Sequence, residues 1–244
     1  MLPIDEPPLE PDLIRSRHAA VVARLRATAE AAGRDPDGFR VVAVTKGFGL
    51  VVLHAARAAG LSRFGENRVQ EAIPKVAAVP DAEWHLVGRL QGNKARPAVQ
   101  AFAVIHSVDS LELLARLDRI AVEESAAPVL LLQVNVSGEA SKAGFPMPWL
   151  EAQLHGSSEL VAALGGLAAA RVSGLMTIGA AGAPALAARA AFARLRRLRD
   201  GLAQAAGMPL DELSMGMSGD ADAAVAEGAT LVRIGTAIFG PRPG

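Results

Sequence analysis

Short apolar runs alternate along this chain with alanine-rich stretches whose apolar residues recur at helical spacing, and loops rich in glycine or polar residues separate them. An unbroken β-branched or aliphatic run reads as a buried strand, and a 3.6-residue recurrence reads as an amphipathic helix. On that reading strands lie at residues 41–46, 63–65, 84–88, 102–108, 129–136, 172–178, 212–217 and 231–234. Helical patterns fall at 9–32, 50–59, 69–76, 94–100, 111–124, 148–163, 184–206 and 221–227. In the first of these, Ile14, Val21, Val22 and Leu25 share one face, Arg15, Arg17, Arg24 and Arg26 lie largely off it, and Gly33 ends it. The helix at 184–206 sorts likewise, with Phe192, Leu195, Leu198 and Leu202 toward a core and a solvated back of arginines.

Strict β-then-α alternation implies a parallel sheet with right-handed crossovers. About eight such strands in a chain of 244 residues match an α/β fold of one closed (β/α)8 TIM barrel. The expected organisation is a single domain over 1–244, with an additional N-terminal helix at 9–32 and the barrel at 41–240. An open doubly wound sheet is the runner-up. It would normally carry a Gly-x-Gly-x-x-Gly turn after its first strand, whereas Lys46-Gly47-Phe48-Gly49 has no third glycine.

Composition narrows the partners. Lys+Arg and Asp+Glu are both 25, so net charge is zero and no field is available to hold a nucleic acid. Without cysteine there is no disulfide framework, thiolate nucleophile or thiolate metal site, and the five histidines lack metal-ligand spacing, so no metal is expected. The start is acidic and broken by proline, unlike a secretory signal. No apolar run reaches the roughly 18 residues of a membrane span. The expectation is a cytoplasmic monomer without a nucleic-acid or membrane partner.

In such a barrel, functional groups gather at the C-terminal ends of the strands. The first strand ends on Lys46, which either snorkels to water or is held partly desolvated, its pKa lowered, ready to form a Schiff base. Glu66 and Asn67 follow the second strand, and His85 sits in the third, alternating with Trp84 and Leu86 as a core histidine or a catalyst. The seventh runs into Ser214-Met215-Gly216-Met217-Ser218-Gly219-Asp220 and the eighth into Arg233-Ile234-Gly235-Thr236. Small and hydroxylated residues there suit a phosphate, or Ser218 or Asp220 merely caps a helix. Arg233 could equally serve a structural ion pair.

Phe64-Gly65-Glu66-Asn67, Trp84-His85-Leu86-Val87-Gly88, Gln91-Gly92-Asn93-Lys94, Ser173-Gly174-Leu175-Met176-Thr177, the 213–218 loop and the 232–240 segment, with Val44-Thr45-Lys46, resemble the YggS/PROSC family of pyridoxal phosphate homeostasis proteins. The resemblance implies an alanine racemase-like barrel (PLP fold type III) that binds pyridoxal 5′-phosphate (PLP) covalently and lacks the racemase's second domain. It implies Lys46 as the Schiff-base lysine, the loop of Ser214, Met217 and Ser218 with Gly235 and Thr236 around the phosphate, and Arg233 facing the pyridine nitrogen. Asn67, His85 and Met176 would line the ring. PLP-dependent apoenzymes are the implied recipients.

An arginine at the ring nitrogen can donate but not accept, which leaves the ring a poor electron sink. The chain also has no tyrosine to act as a second base. Three readings stand: a PLP-carrying and buffering homeostasis protein with no catalytic residue; a single-base racemase or lyase using Lys46 and His85; or a cofactor-free aldolase whose phosphate loops bind a sugar phosphate.

Overall fold

The computed structural model describes residues 9–139, 142–180, 182 and 184–242, so residues 1–8, 243 and 244 of the expected 1–244 unit lie outside the described residues. The strands are β1 (Arg40–Val44), β2 (Arg63–Glu66), β3 (Glu83–Leu86), β4 (Val104–Val108), β5 (Val129–Asn135), β6 (Phe145–Pro146), β7 (Arg171–Met176), β8 (Glu212–Ser214) and β9 (Leu231–Ile234). The helices are α1 (Pro11–Ala31), α2 (Leu50–Ala58), α3 (Val69–Ala78), α4 (Ala95–Ala101), α5 (Leu111–Glu123), α6 (Met147–Ala152), α7 (Glu159–Gly165), α8 (Ala185–Ala206), α9 (Ala221–Ala226) and α10 (Thr236–Phe239).

All strand pairings are parallel, in the order β4-β3-β2-β1-β9-β8-β7-β5, and a β4–β5 pairing closes the ring. This is the expected (β/α)8 barrel, with α1 as the additional helix packed against α2, α9 and α10. The two-residue β6 merely extends the end of β5.

Strand alternation sorts the core into two compartments. Phe64, Trp84, Leu86, Ile105, Leu132, Leu175 and Val232 join the helices in the outer apolar layer. A small cluster of Val42, Val104, Leu131, Met176 and Leu231 occupies the alternate, inward positions. Inward neighbours of that cluster include His85, His106, Ser214 and Arg233, all buried. The barrel interior is therefore polar across one layer.

Several boundaries differ from expectation. The helix expected over 148–163 is two, because α6 stops at Ala152 and Ser158 starts α7 by accepting a hydrogen bond from the Val161 N–H at 3.2 Å. Strand β1 ends before Thr45 and Lys46, where Gly47 takes φ 79° and the Phe48 N–H closes a turn on the Thr45 carbonyl at 3.1 Å. Strand β8 ends at Ser214, ahead of Gly216 at φ 90°. On α8, Phe192, Leu195, Leu198 and Leu202 are buried as the spacing indicates, while Arg189 and Arg196 pair with Glu227. Among the described residues no helix is long and apolar enough to cross a membrane, and no three His, Asp or Glu side chains cluster as a metal site.

Candidate functional site

The C-terminal mouth of the barrel holds a cavity of about 420 Å³ into which β1, β2, β8 and β9 deliver their last residues or the loops that follow. Lys46, Asn67, Met217, Ser218, Arg233, Gly235 and Thr236 line it together.

Lys46 is placed by its neighbour. The Thr45 N–H donates to the Gly65 carbonyl at 3.0 Å, the Thr45 hydroxyl donates to Glu66 Oε1 at 2.6 Å, and the Thr45 carbonyl accepts from Lys75 Nζ at 2.9 Å. Lys75 also donates to Glu66 Oε1 at 2.6 Å, and both side chains are at most 1% exposed. Burial raises the Glu66 carboxyl, against the opposing pull of Lys75. Its Oε2 has no hydrogen-bond partner. The peptide ahead of Lys46 is thus gripped by β2 and α3, while the amine reaches the half-buried cavity wall. Burial lowers the Lys46 pKa, the cationic Arg242 and Arg233 lower it further, and Glu66 opposes them. An amine poised this way is a better nucleophile toward a carbonyl than a solvated lysine.

The wall opposite is set by the turn after β8. The Met217 N–H donates to Asp220 Oδ1 at 2.6 Å, and the Arg233 N–H ties the Gly216 carbonyl to β9 at 3.0 Å. Gly216 is required twice over, by its positive φ and because a Cβ there would meet Ala224 Cβ at 2.6 Å. Beside this turn Ser218, Gly219, Gly235 and Thr236 offer hydroxyls and bare backbone. With Arg233 and Arg242 they form a donor set for an anion. Asn67 is seated by Gly88, where any Cβ would strike the Asn67 carbonyl oxygen at 2.2 Å.

Arg233 enters from β9, 4% exposed, and burial pushes it down to about 10, Asp220 opposing. Its Nη2 donates to the Thr177 carbonyl at 2.8 Å and its Nη1 to Ser214 Oγ at 2.6 Å. Ser214 Oγ lies 2.8 Å from His106 Nδ1, His106 Nε2 lies 2.8 Å from His85 Nδ1, and His85 Nε2 lies 2.9 Å from Glu83 Oε1. Burial, then His85 and Arg233, hold His106 well below the usual imidazole range. The His85 hydrogen bond brings Glu83 down to about 2, despite partial burial.

The structure does not bring His85, Met176 and Ser214 to the cavity. Each occupies an inward strand position in the layer beneath: His85 and Ser214 within the hydrogen-bonded chain, Met176 packed with Val42, Val104, Leu131 and Leu231. Conversely Phe48, Arg89 and Arg242 line the cavity and were not legible from strand-end reasoning, while Val87 and Ile178 line it from the ends of the strands expected over 84–88 and 172–178. Arg242 comes from beyond α10, where no pattern marks a return to the mouth. His106 carried a usable signal, alternating in an apolar strand as His85 does.

The alanine racemase N-terminal domain family matches residues 17–243. A pyridoxal phosphate homeostasis protein of Pseudomonas aeruginosa is 46% identical over 226 residues, which span 92% of this chain and 94% of that protein. PipY of Synechococcus elongatus aligns at TM-score 0.81 and 43% identity without PLP, covering 93% of this chain and all of PipY, and at 0.78 and 41% with PLP bound. The alanine racemase of Clostridium difficile shares the fold at TM-score 0.68 and 15% identity, over 91% of this chain but 57% of the racemase. The chain accordingly belongs to the family of pyridoxal phosphate homeostasis proteins, built on the alanine racemase N-terminal domain.

Proposed function

We propose that this protein binds pyridoxal 5′-phosphate covalently through Lys46, and carries and buffers it for PLP-dependent apoenzymes in the cytoplasm without robust turnover of its own. The observation that carries this is the half-buried Lys46, its pKa lowered, facing Ser218, Gly235, Thr236 and Arg233 across one cavity of about 420 Å³. Those residues fit the group: an amine for the aldehyde, hydroxyls and small residues for the phosphate, and a guanidinium that stays protonated toward the ring nitrogen. When bound, PLP would supply a reactive aldehyde. The chain's own residues then bind and orient it. Lys46 can take or give a proton on one side of the site, and no tyrosine exists in the sequence to serve the other.

The single-base enzyme reading needs His85 as a second proton donor. Its ring is 0% exposed, lies outside the cavity and is engaged at both nitrogens, which favours the carrier. Borohydride reduction of the PLP-treated protein, followed by peptide mass analysis, is expected to place a phosphopyridoxyl group on Lys46. Protein that gains no absorbance with added PLP would overturn the reading. Turnover by the native protein on the order of 1 s⁻¹ or faster, measured as solvent deuterium entering alanine, would restore an enzyme.

A further inference from the structure

A buried chain of side chains crosses the barrel interior from the cavity floor to the N-terminal mouth, and nothing in the Lys46 chemistry uses it. It runs Arg233, Ser214, His106, His85, Glu83, from β9 through β8 and β4 to β3, with separations of 2.6, 2.8, 2.8 and 2.9 Å. Its first four members are at most 4% exposed. Glu83, at the mouth, also pairs with Arg63 at 3.1 Å.

The two ends dictate the direction of every hydrogen bond between them. A guanidinium only donates, and an ionised carboxylate only accepts. Ser214 Oγ therefore accepts from Arg233 and gives its one hydrogen to His106 Nδ1. His106 carries its proton on Nε2 and donates it to His85 Nδ1, and His85 carries its own on Nε2 and donates it to Glu83. The opposite direction would need a doubly protonated His85 inside the barrel and would strip the Ser214 hydroxyl hydrogen of its acceptor, both costly in a dry interior.

We propose that His106 and His85 are positioning residues for Arg233: both rings take the Nε2–H tautomer, and the chain they complete fixes the guanidinium at the cavity floor. Among the described residues Arg233 has no carboxylate within ion-pair distance, so its aim rests on the Thr177 carbonyl and Ser214 Oγ. A hydroxyl that is itself donating is a stronger acceptor, so each link beyond Ser214 tightens the hold on Arg233. The consequence for cofactor retention rests on the PLP reading above; the tautomers do not.

Two measurements on the full-length protein test this. Two-bond proton–nitrogen NMR of the imidazoles is expected to show both rings as the Nε2–H tautomer at about pH 8, with His106 keeping that form down to about pH 5.5. An Nδ1–H tautomer in either ring, or His106 titrating freely near the ordinary imidazole value of about 6.5, would overturn the chain. For retention, His106→Phe keeps a ring but ends the chain, and Ser214→Ala removes the acceptor. Each is expected to weaken PLP binding about 10-fold, the worth of one hydrogen bond. The double variant is expected to be no worse than either, since both cut one chain. His106→Asn, whose oxygen can accept from Ser214, is expected to recover most of the loss. Native affinity in both single variants, or additive losses in the double, would refute the positioning role. A native protein that takes up no PLP would instead sink the cofactor reading and leave the NMR result to decide the chain.

Discussion

The ammonium of Lys75 donates to the carbonyl oxygen of Thr45 at 2.9 Å, so a second, fully buried lysine holds the peptide immediately ahead of Lys46. Rigid placement of a cavity-lining amine by a locked neighbour is what a binding site on strand ends requires. The relationship also explains an otherwise costly buried charge on α3.

Replacing Lys75 with Met removes that clamp and leaves Glu66 buried without its counter-charge. Breaking one partner of a buried pair costs about 3–5 kcal/mol. Urea unfolding of Lys75→Met is expected to show a loss of that order, with slower PLP uptake. Adding Glu66→Leu is expected to return much of the stability but not the uptake rate, because the Thr45 carbonyl still lacks the Lys75 donor and keeps only the Phe48 N–H.

Arg242 packs over Gly47 and lowers the Lys46 pKa, after the larger effect of burial. Arg242→Ala removes a repelling cation, so the Lys46 amine is expected to hold its proton to higher pH. The absorbance change on adding PLP should then follow a pH profile displaced upward, with slower uptake at neutral pH. An unchanged profile would mean that burial alone tunes the lysine.

Ser218 and Thr236 line the cavity wall. Hydrogen bonds to a charged phosphate contribute roughly 1.5–3 kcal/mol each, and pyridoxal lacks that acceptor. Ser218→Ala and Thr236→Ala are expected to weaken PLP binding by about 10-fold or more while leaving pyridoxal binding within roughly 2-fold. Titration with both vitamers decides it, and equal losses would reduce these residues to helix-end fittings.

Acid should destabilise the protein in two stages. His106 is held neutral by burial, so below about pH 6.5 the unfolded chain takes up a proton that the folded chain refuses, and stability falls. Glu83 is brought down to about 2 by its hydrogen bond from His85, so its contribution is present above roughly pH 4.3 and is lost as pH falls toward 2. Thermal midpoints recorded from pH 8 to 2 are expected to flatten between about 6.5 and 5 in His106→Phe and below about 4 in Glu83→Gln.

The eight-strand barrel was legible because each strand announces itself locally: an apolar run, then a loop, then a helical repeat, as in residues 41–59 and 63–76. A parallel barrel also obliges the strand ends to converge, which is why Lys46, Asn67, Ser218, Arg233, Gly235 and Thr236 meet at one mouth although up to 190 positions separate them in sequence, Lys46 to Thr236. The sequence by itself thus determined the architecture and the rim of the cavity, through periodicity and strand order. Depth was not legible. Whether an inward strand residue reaches the cavity or stays in the layer beneath depends on how each strand is staggered along the barrel against its neighbours, as in Gly65 opposite His85 and Ser214 opposite Leu231. Only the tertiary structure could therefore set His85, Ser214 and Met176 below the cavity, join His85 to His106 between neighbouring strands, and bring Arg242 back over Gly47 to the cavity that Lys46 lines. Those contacts link residues far apart in the chain, and their geometry is set by packing rather than by any local pattern.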